Sequence, residues 1–402
     1  MQTTHKEPAQ TEQTLYAGGW VFTGHELLSD HAVLLEGERI ARLAPIAEFE
    51  GFTGKRQDTS GCTLLPGLID CHVHLCYGGE ADPGTSADKL RPGELAIRCL
   101  EQAQQTLRGG ITSVRDCGGK DYIEFAARDA CNSGRFLGPT IRAAGRMICM
   151  TGGHGNRTGR VADGADEVVK AVREQIHAGC DFCKLMATGG VMTPGVNPED
   201  AHYSEAELRA GISEAHRFHR HTASHAQGAA GILNAVRAGV DSIEHGIFMD
   251  QQCLAEMLAH EVYLVPTCSA LLNILEHAHL GIPSFIVEKT QRVAEHHRRS
   301  IKLYFEAGGK IAMGTDAGTP FNRHGANASE LRFMVDYGLT PSAALTAATV
   351  HAADLMRLPE RGRIGAGMAA DLLLVQGNPL DDIHCAADPA NHRQVIKNGA
   401  LV

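Results

Sequence analysis

Positive charge is too scarce in this sequence to hold a phosphate backbone: 37 lysines and arginines face 47 aspartates and glutamates, a formal net charge of −10 over 402 residues. Without a basic run there is no electrostatic footprint for nucleic acid. Also missing is any run of the roughly 18 apolar residues that a membrane-spanning helix needs. The opening MQTTHKEPAQTEQ contains no apolar core of the kind a secretory signal carries. The expectation is a cytoplasmic protein without a membrane partner. No G-x-G-x-x-G follows the first predicted strand and no GK[ST] occurs, so a nucleotide-binding fold lacks its fingerprint. The 12 cysteines have no framework spacing. Cys71, Cys149, Cys180, Cys183 and Cys268 lie in apolar runs and read as reduced, buried thiols. Cys180-Asp-Phe-Cys183 is formally a CxxC, but it falls in a predicted strand with no second pair to complete a four-thiolate zinc site.

What the chain does have is an ordinary globular composition, 43% hydrophobic and 21% charged, and 22 histidines. Three zones can be read along it. Residues 1–64 carry short β-type runs (LYAGGWVFTG, HAVLLEGERIARLAP) broken by Gly and Asp, and residues 359–402 resemble them (DLLLVQGNPL, RQVIKNGALV). Two β-rich ends around a long middle are most simply one small sheet domain that the chain leaves and later re-enters. Residues 65–358 alternate strand-like runs with helical stretches such as ADEVVKAVREQIHAG, SEAELRAGISEAHRF and GAAGILNAVRAG. The second opens on Ser204-Glu205-Ala206-Glu207, a capping box. Eight strands are predicted, ending near His74, Asp116, Gly145, Lys184, His225, His245, Pro266 and Asp316. Eight strand-and-helix units over about 290 residues fit an α/β fold of the (β/α)8 TIM-barrel type.

A barrel of that kind carries its site at the C-terminal ends of its strands. The first strand ends in His72-Val73-His74, and the strand period of two puts both imidazoles on one face. Alone, H-x-H is a modest signal. Its weight comes from Lys184, His225, His245 and Asp316, which end four other strands on the same rim. Nitrogen and oxygen ligands beside a carboxylate form the donor set of a hydrolytic metal centre. Lys184 is a misfit as an ammonium, but burial beside positive charge favours the neutral amine, which can add carbon dioxide to become a carboxylate-like carbamate.

The segments PGLIDCHVHL, DFCKLMATGGVMTPG, SHAQG, SIEHG, GTDAGTP and GRIGAGMAADLLLVQGNPL, in this order over almost the whole chain, resemble the amidohydrolase superfamily, in its prolidase-like and imidazolonepropionase-related branch. The resemblance implies a distorted (β/α)8 barrel with a small β-sandwich from the two termini, and a binuclear centre of two divalent ions, most often zinc. His72, His74 and Asp316 would hold the more buried ion and His225 and His245 the other, with carboxylated Lys184 and a hydroxide between them. Asp316 would also shuttle the proton from the attacking hydroxide to the leaving group, and His154, in TGGHG, would contact the substrate near its carbonyl or carboxylate. One departure stands out: where the branch's dipeptidases have a carboxylate-binding tyrosine two residues after the strand-five histidine, this chain has Gln227. Gln227 can donate and accept, so it reads either as a contact to an amide, ester or heterocycle or as a loop support.

Arg115, ending the second strand, is open to two readings, a contact to an anionic substrate or an internal ion pair with Asp116. His324, Asn327 and Glu330 either shape the pocket or cap the next helix. His216, His219 and His221 read as a solvated surface, as do His296 and His297 beside Arg298 and Arg299. Met147 and Met150 read as apolar packing. The function expected is hydrolysis of an amide-type C–N bond in a small molecule such as an N-acyl amino acid or dipeptide. The same centre acting on an ester, carbamate or phosphotriester is the rival within enzymes, and a non-catalytic metal-binding protein is the rival outside them. Homo-oligomerisation stays open.

Overall fold

The computed structural model describes residues 12–402. The polar opening segment, expected to carry neither signal nor anchor, falls almost wholly outside them. Among the described residues no helix is long and apolar enough to cross a membrane.

The two ends of the chain build one shared sheet, packed against another made of N-terminal strands alone. Gln13–Ala17 lies between His31–Glu36 and Lys55–Asp58 in one four-stranded sheet, with Arg39–Pro45 at its edge. In the second, of six strands, Leu372–Gln376 pairs antiparallel with Cys62–Pro66, from Leu372 opposite Pro66 to Gln376 opposite Cys62. Val33, Leu35 and Ile40 of the first sheet share an apolar cluster with Leu64, Leu372, Leu374 and Ile396 of the second. Alternation explains the arrangement, since in a strand every second side chain turns to the same face. Cys62–Pro66 crosses the expected boundary at residue 64 by two residues.

Gly67 then turns the chain directly into the middle region, where a Cβ would lie 2.3 Å from the Thr112 side chain. Leu68–Val73, Ile111–Asp116 and Thr140–Ala143 form a three-stranded parallel sheet. A six-stranded sheet follows, containing Phe182–Met186, His221–Ala226, Ser242–His245 and Tyr263–Val265 in consecutive parallel register. Seven of the eight predicted strands are therefore present, within a residue or two of their expected ends. The eighth, KIAMGTD, is not a continuous strand: it makes two parallel bridges, Leu264 with Ile311 and Val73 with Ala317. Gly314 passes so close to Val265 and His72 that a Cβ there would lie 2.3 Å from the Val265 side chain, and Asp316 leaves the extended course with a left-handed φ of 60°. Those bridges still link the six-stranded sheet to the three-stranded one, and on their other flanks Asp181 N–H donates to Ala143 O at 2.9 Å.

The helices cover these sheets with the apolar stripes predicted for them. Ala165–Ala178 buries Val168, Ala171, Val172 and Gln175, a 3–4 spacing. Glu205–Arg217 begins at the Ser204 capping box, in which Ser204 N–H donates to Glu207 Oε2 at 2.9 Å. All 12 cysteines are free thiols, 11 of them buried, and the Cys180 and Cys183 sulfurs lie 4.0 Å apart. Two histidines expected at the surface are inside. His221 is 4% exposed, stacked on Phe182 at 5.0 Å, because it opens a strand instead of ending the preceding helix. His297 is fully buried and donates from Nε2 to Pro266 O at 2.7 Å. It shares the inward stripe of helix Ser284–Glu306 with Thr290, Val293, Ile301 and Tyr304. His216, His219 and His296 are exposed as expected.

Candidate metal centre and active site

The strand ends converge as the rim argument requires. His72 Nε2 and His74 Nε2 lie 3.5 and 3.2 Å from Asp316 Oδ1, although residue 316 is far along the chain. The His72 ring sits 5.2 Å from that of His245, which is 4.6 Å from that of His225. Lys184 reaches the same point, its Nζ 3.5 Å from His72 Nε2. Strand alternation alone would not aim all these groups inward. His245 and Asp316 adopt left-handed φ values of 71° and 60°, which swing their side chains off the extended course. Such conformations cost about 1–3 kcal/mol each and persist where the surroundings enforce them.

Each imidazole has one nitrogen tied on its outer side. His72 Nδ1–H donates to Glu244 Oε2 at 2.7 Å, and His74 Nδ1–H to Gly118 O at 2.7 Å. His245 Nδ1–H donates to Thr267 Oγ1 at 2.7 Å, whose own proton goes to Pro266 O. His225 Nε2–H donates to Gly189 O at 2.8 Å. These acceptors fix the tautomers and leave the inner nitrogens as lone-pair donors, the arrangement typical of metal-ligating histidines. Burial reinforces it by disfavouring the charged ring: His245 is pushed down to about 3, and His72 and His225 also fall well below the usual range. His74 moves the opposite way, because Asp316 overcomes the burial penalty. Asp316 in turn, against its burial, is held far below the ordinary carboxylate range by His72, His74 and His245.

These residues fit a divalent cation. Ligand atoms about 2.1 Å from a tetrahedral ion stand about 3.4 Å apart; the two measured separations to Asp316 Oδ1 are 3.2 and 3.5 Å. Lys184 is 1% exposed, and among the described residues no carboxylate lies within ion-pairing distance of it, so a positive ammonium would be buried uncompensated. Beneath the centre, Asp70 ties the first strand to the broken eighth segment. Its Oδ1 accepts from His72 N–H and Thr315 N–H at 3.0 and 3.1 Å, and its Oδ2 from Thr315 Oγ1 and Asn327 Nδ2 at 2.6 and 2.7 Å.

Above the centre opens a cavity of about 350 Å³, walled by all six of these residues together with His154, Gln227 and an apolar flank that includes Met147, Met186, Leu271 and Phe285. The His154 ring is 4.4 Å from that of His225, and its Nδ1 lies 2.8 Å from Thr193 Oγ1. Burial pushes His154 down to about 3. Gln227 N–H donates to Thr188 Oγ1, and its Oε1 is buried with no hydrogen-bond partner. The amidohydrolase family model matches residues 63–402. The chain belongs to the amidohydrolase family. It is 32% identical to the ochratoxinase of Aspergillus niger over 96% of this chain and 86% of that one. The crystal structure of that ochratoxinase superposes with a TM-score of 0.86 at 29% identity, covering 98% of this chain and 96% of that one. A crystal structure of a Xaa-Pro dipeptidase with bound methionine in its active site aligns with a TM-score of 0.87 at 33% identity, over 97% of this chain and 100% of that one. A prolidase complexed with N-methylphosphonate-L-proline gives 0.88 at 33%, over 97% and 99%. Family membership makes the chain a hydrolase of carbon–nitrogen bonds with the fold of the TIM-barrel superfamily.

In this amidohydrolase Arg115 does not reach the cavity. It is fully buried, donating to Glu244 Oε1 at 2.7 Å, Ser242 Oγ at 3.1 Å and Cys71 O at 2.6 Å, with its guanidinium 5.1 Å from the Phe182 ring centroid. The internal ion pair thus exists with Glu244; Asp116 instead accepts from Leu75 N–H and Gly118 N–H. His324, Asn327 and Glu330 support the site from below. His324 Nε2–H faces His74 O and Tyr77 O, and Glu330 accepts from Cys268 N–H and Ser269 N–H, capping helix Cys268–Glu276 from outside. Met147 packs with Cys149 and Met186. Three residues escaped the sequence reading. Glu244, next to His245, links Arg115 to His72, and a carboxylate inside an apolar strand run was its visible signal. Thr193, which holds His154, and Arg157, on the cavity rim and paired with Asp88, sit in loops where no pattern marks them.

Proposed function

We propose that this amidohydrolase uses a binuclear metal centre to hydrolyse an amide-type C–N bond of a small molecule, an N-acyl amino acid, a dipeptide or a related amide. The observation that carries the reading is the set of buried imidazoles, each with its outer nitrogen engaged and its inner one free, gathered with Asp316 and Lys184 on one cavity wall. His72, His74 and Asp316 would hold one ion and His225 and His245 the other, with Lys184 as a carbamate between them; zinc suits these donors. When bound, such ions polarise the scissile carbonyl and acidify water at neutral pH. Asp316 Oδ accepts the proton of the attacking water and returns it to the leaving nitrogen. Neutral His154 contacts the substrate carbonyl, and the unpartnered Gln227 Oε1 accepts from a substrate N–H. The apolar flank accommodates the acyl or side-chain group and keeps water from it. The same reading closes the two parallel sheets into a (β/α)8 barrel of residues 65–358, with 1–64 and 359–402 as a sandwich against it.

The relatives support the amide bond: ochratoxinase, a Xaa-Pro dipeptidase and a prolidase share the fold over nearly their whole lengths. The deciding experiment reconstitutes the protein with zinc and bicarbonate and screens matched dipeptides, N-acyl amino acids, esters and carbamates. About two tightly held ions per chain and preferred turnover of amides are expected. Fewer than one ion per chain sinks the binuclear centre, and ester preference over matched amides sinks the amide assignment.

A further inference from the structure

The segment after strand Phe182–Met186 does two jobs at the site. Gly189 O holds the outer nitrogen of His225, and Thr193 Oγ1 holds Nδ1 of His154. Gly190 lies flat under the His154 ring: a Cβ there would come within 2.5 Å of Nε2. Val191, Met192, Thr193 and Pro194 continue along the cavity wall. This strap has no regular secondary structure, so backbone hydrogen bonds of a helix or sheet do not fix its shape. Asp200 holds its two ends, accepting from Gly189 N–H at 3.0 Å and from Asn197 Nδ2 at 3.1 Å, and between them a side chain from a distant helix gathers it. Lys289, on Ser284–Glu306, donates from Nζ to Val196 O at 2.6 Å, Thr193 O at 2.7 Å and Gly190 O at 3.4 Å. An ammonium has three protons, and all are spent on carbonyls of one strap. Its charge makes those bonds stronger than neutral ones.

We propose that Lys289 is a positioning residue for substrate binding: it pins the strap so that Thr193 and Gly190 present the His154 ring to the substrate. The inference rests on the assignment of His154 as a substrate contact. Lys289 bonds the strap only beyond Gly189, whose N–H is held separately by Asp200 O, so its removal acts first on the wall that receives substrate and leaves the Gly189 O contact to His225 in place. The Lys289→Met variant therefore raises KM about tenfold while kcat changes much less. Lys289→Arg, which can still donate to clustered carbonyls, recovers most of the loss.

Two measurements test this on the zinc-loaded full chain. Amide hydrogen exchange is followed in peptides covering 189–197, where Lys289→Met is expected to speed exchange and Lys289→Arg to leave it slow. Steady-state hydrolysis of N-benzoyl-L-phenylalanine is followed for Lys289→Met, Thr193→Val, His154→Asn and the Lys289→Met/His154→Asn double variant. The KM penalties of Lys289→Met and Thr193→Val should be similar, and the Lys289→Met penalty should vanish once His154 is replaced. Unchanged exchange in the strap, or a full Lys289→Met penalty in the His154→Asn background, overturns the proposal. Should Lys289→Met not fold, Thr193→Val and Lys289→Arg carry the same comparison. If the wild-type protein leaves N-benzoyl-L-phenylalanine intact, the kinetic comparison is run on an amide it does turn over; if it turns over no amide, the functional reading fails, and the exchange measurement alone then decides whether Lys289 pins the strap.

Discussion

The parallel strands end in two different polar clusters. At their C-terminal ends, buried imidazoles have one nitrogen tied on the outer side and turn the other toward the cavity wall shared with Asp316, and among the described residues Lys184 has no carboxylate partner. At their N-terminal ends, where the terminal sheets meet them, sits a cluster built around an ammonium whose protons are all taken up. Lys397, 7% exposed, donates to Asp371 Oδ2 at 2.7 Å, Thr140 Oγ1 at 2.8 Å and Thr112 O at 2.9 Å. Asp371 also accepts from Arg361 and from Asn398 N–H. Both clusters are buried and charged, so burial alone does not separate function from structure. What separates them is where the polar groups point: the Lys397 ammonium spends its three protons on Asp371, Thr140 and Thr112 within the protein, whereas the histidine cluster faces a cavity.

That contrast is broken most sharply at Asp316. Replacing it with Asn should lower turnover of any amide substrate by about a thousandfold while unfolding in urea stays near wild type; near-normal turnover would remove Asp316 from proton transfer. The mirror-image case is Lys397→Met, which leaves Asp371 short of a partner and should cost roughly 3–5 kcal/mol of stability. Its turnover per folded molecule should be unaltered, and urea titration combined with active-site titration checks both. Glu244→Gln lies between the two clusters in kind, since Glu244 joins the saturated Arg115 to the metal-facing His72. Competition with a chelator should show metal affinity weakened about 10–100-fold.

The smallest expected effect is pH-dependent. Burial raises Glu330 to about 7, although Cys268 and Ser269 N–H groups oppose the shift. Its folded value exceeds the unfolded one, so its contribution is full at low pH and is lost as pH rises through about 7. Wild-type stability should therefore fall between pH 5 and 8 by about 1–3 kcal/mol more than in Glu330→Gln. Equal pH slopes would mean that Glu330 is ionised throughout.

A period of two and a rim rule bring His72, His74, Lys184, His225, His245 and Asp316 to the ends of strands, whereas the left-handed turns that aim His245 and Asp316 inward leave no mark in that pattern. The same pattern made seven strands visible in the sequence. What stayed hidden depends on other elements. The break at Gly314–Asp316 lies where Val265 and His72 leave no room for a side chain at 314 and Asp316 turns left-handed, neither of which a local pattern encodes. Arg115 stayed open between a substrate contact and an internal ion pair because its own strand gives no hint of Glu244, four of the eight strands further on. His297 was misplaced by its charged neighbours, though the helical spacing from Val293 to Ile301 already put it inside.

Asp70 has a kinetic meaning as well as a geometric one. It joins His72 to Thr315 and Asn327, partners 245 and 257 residues further along the chain. Closing so long a loop is entropically slow, and chains dominated by such contacts fold late in those regions. The helices and neighbouring strand pairs can form from local contacts while the ribosome is still adding residues. The ligand set cannot, because Asp316 and the Asp70 hub meet only after the last strand–helix unit has been made. The donor set is thus non-local by construction, and a chain interrupted before residue 316 lacks one of its six members.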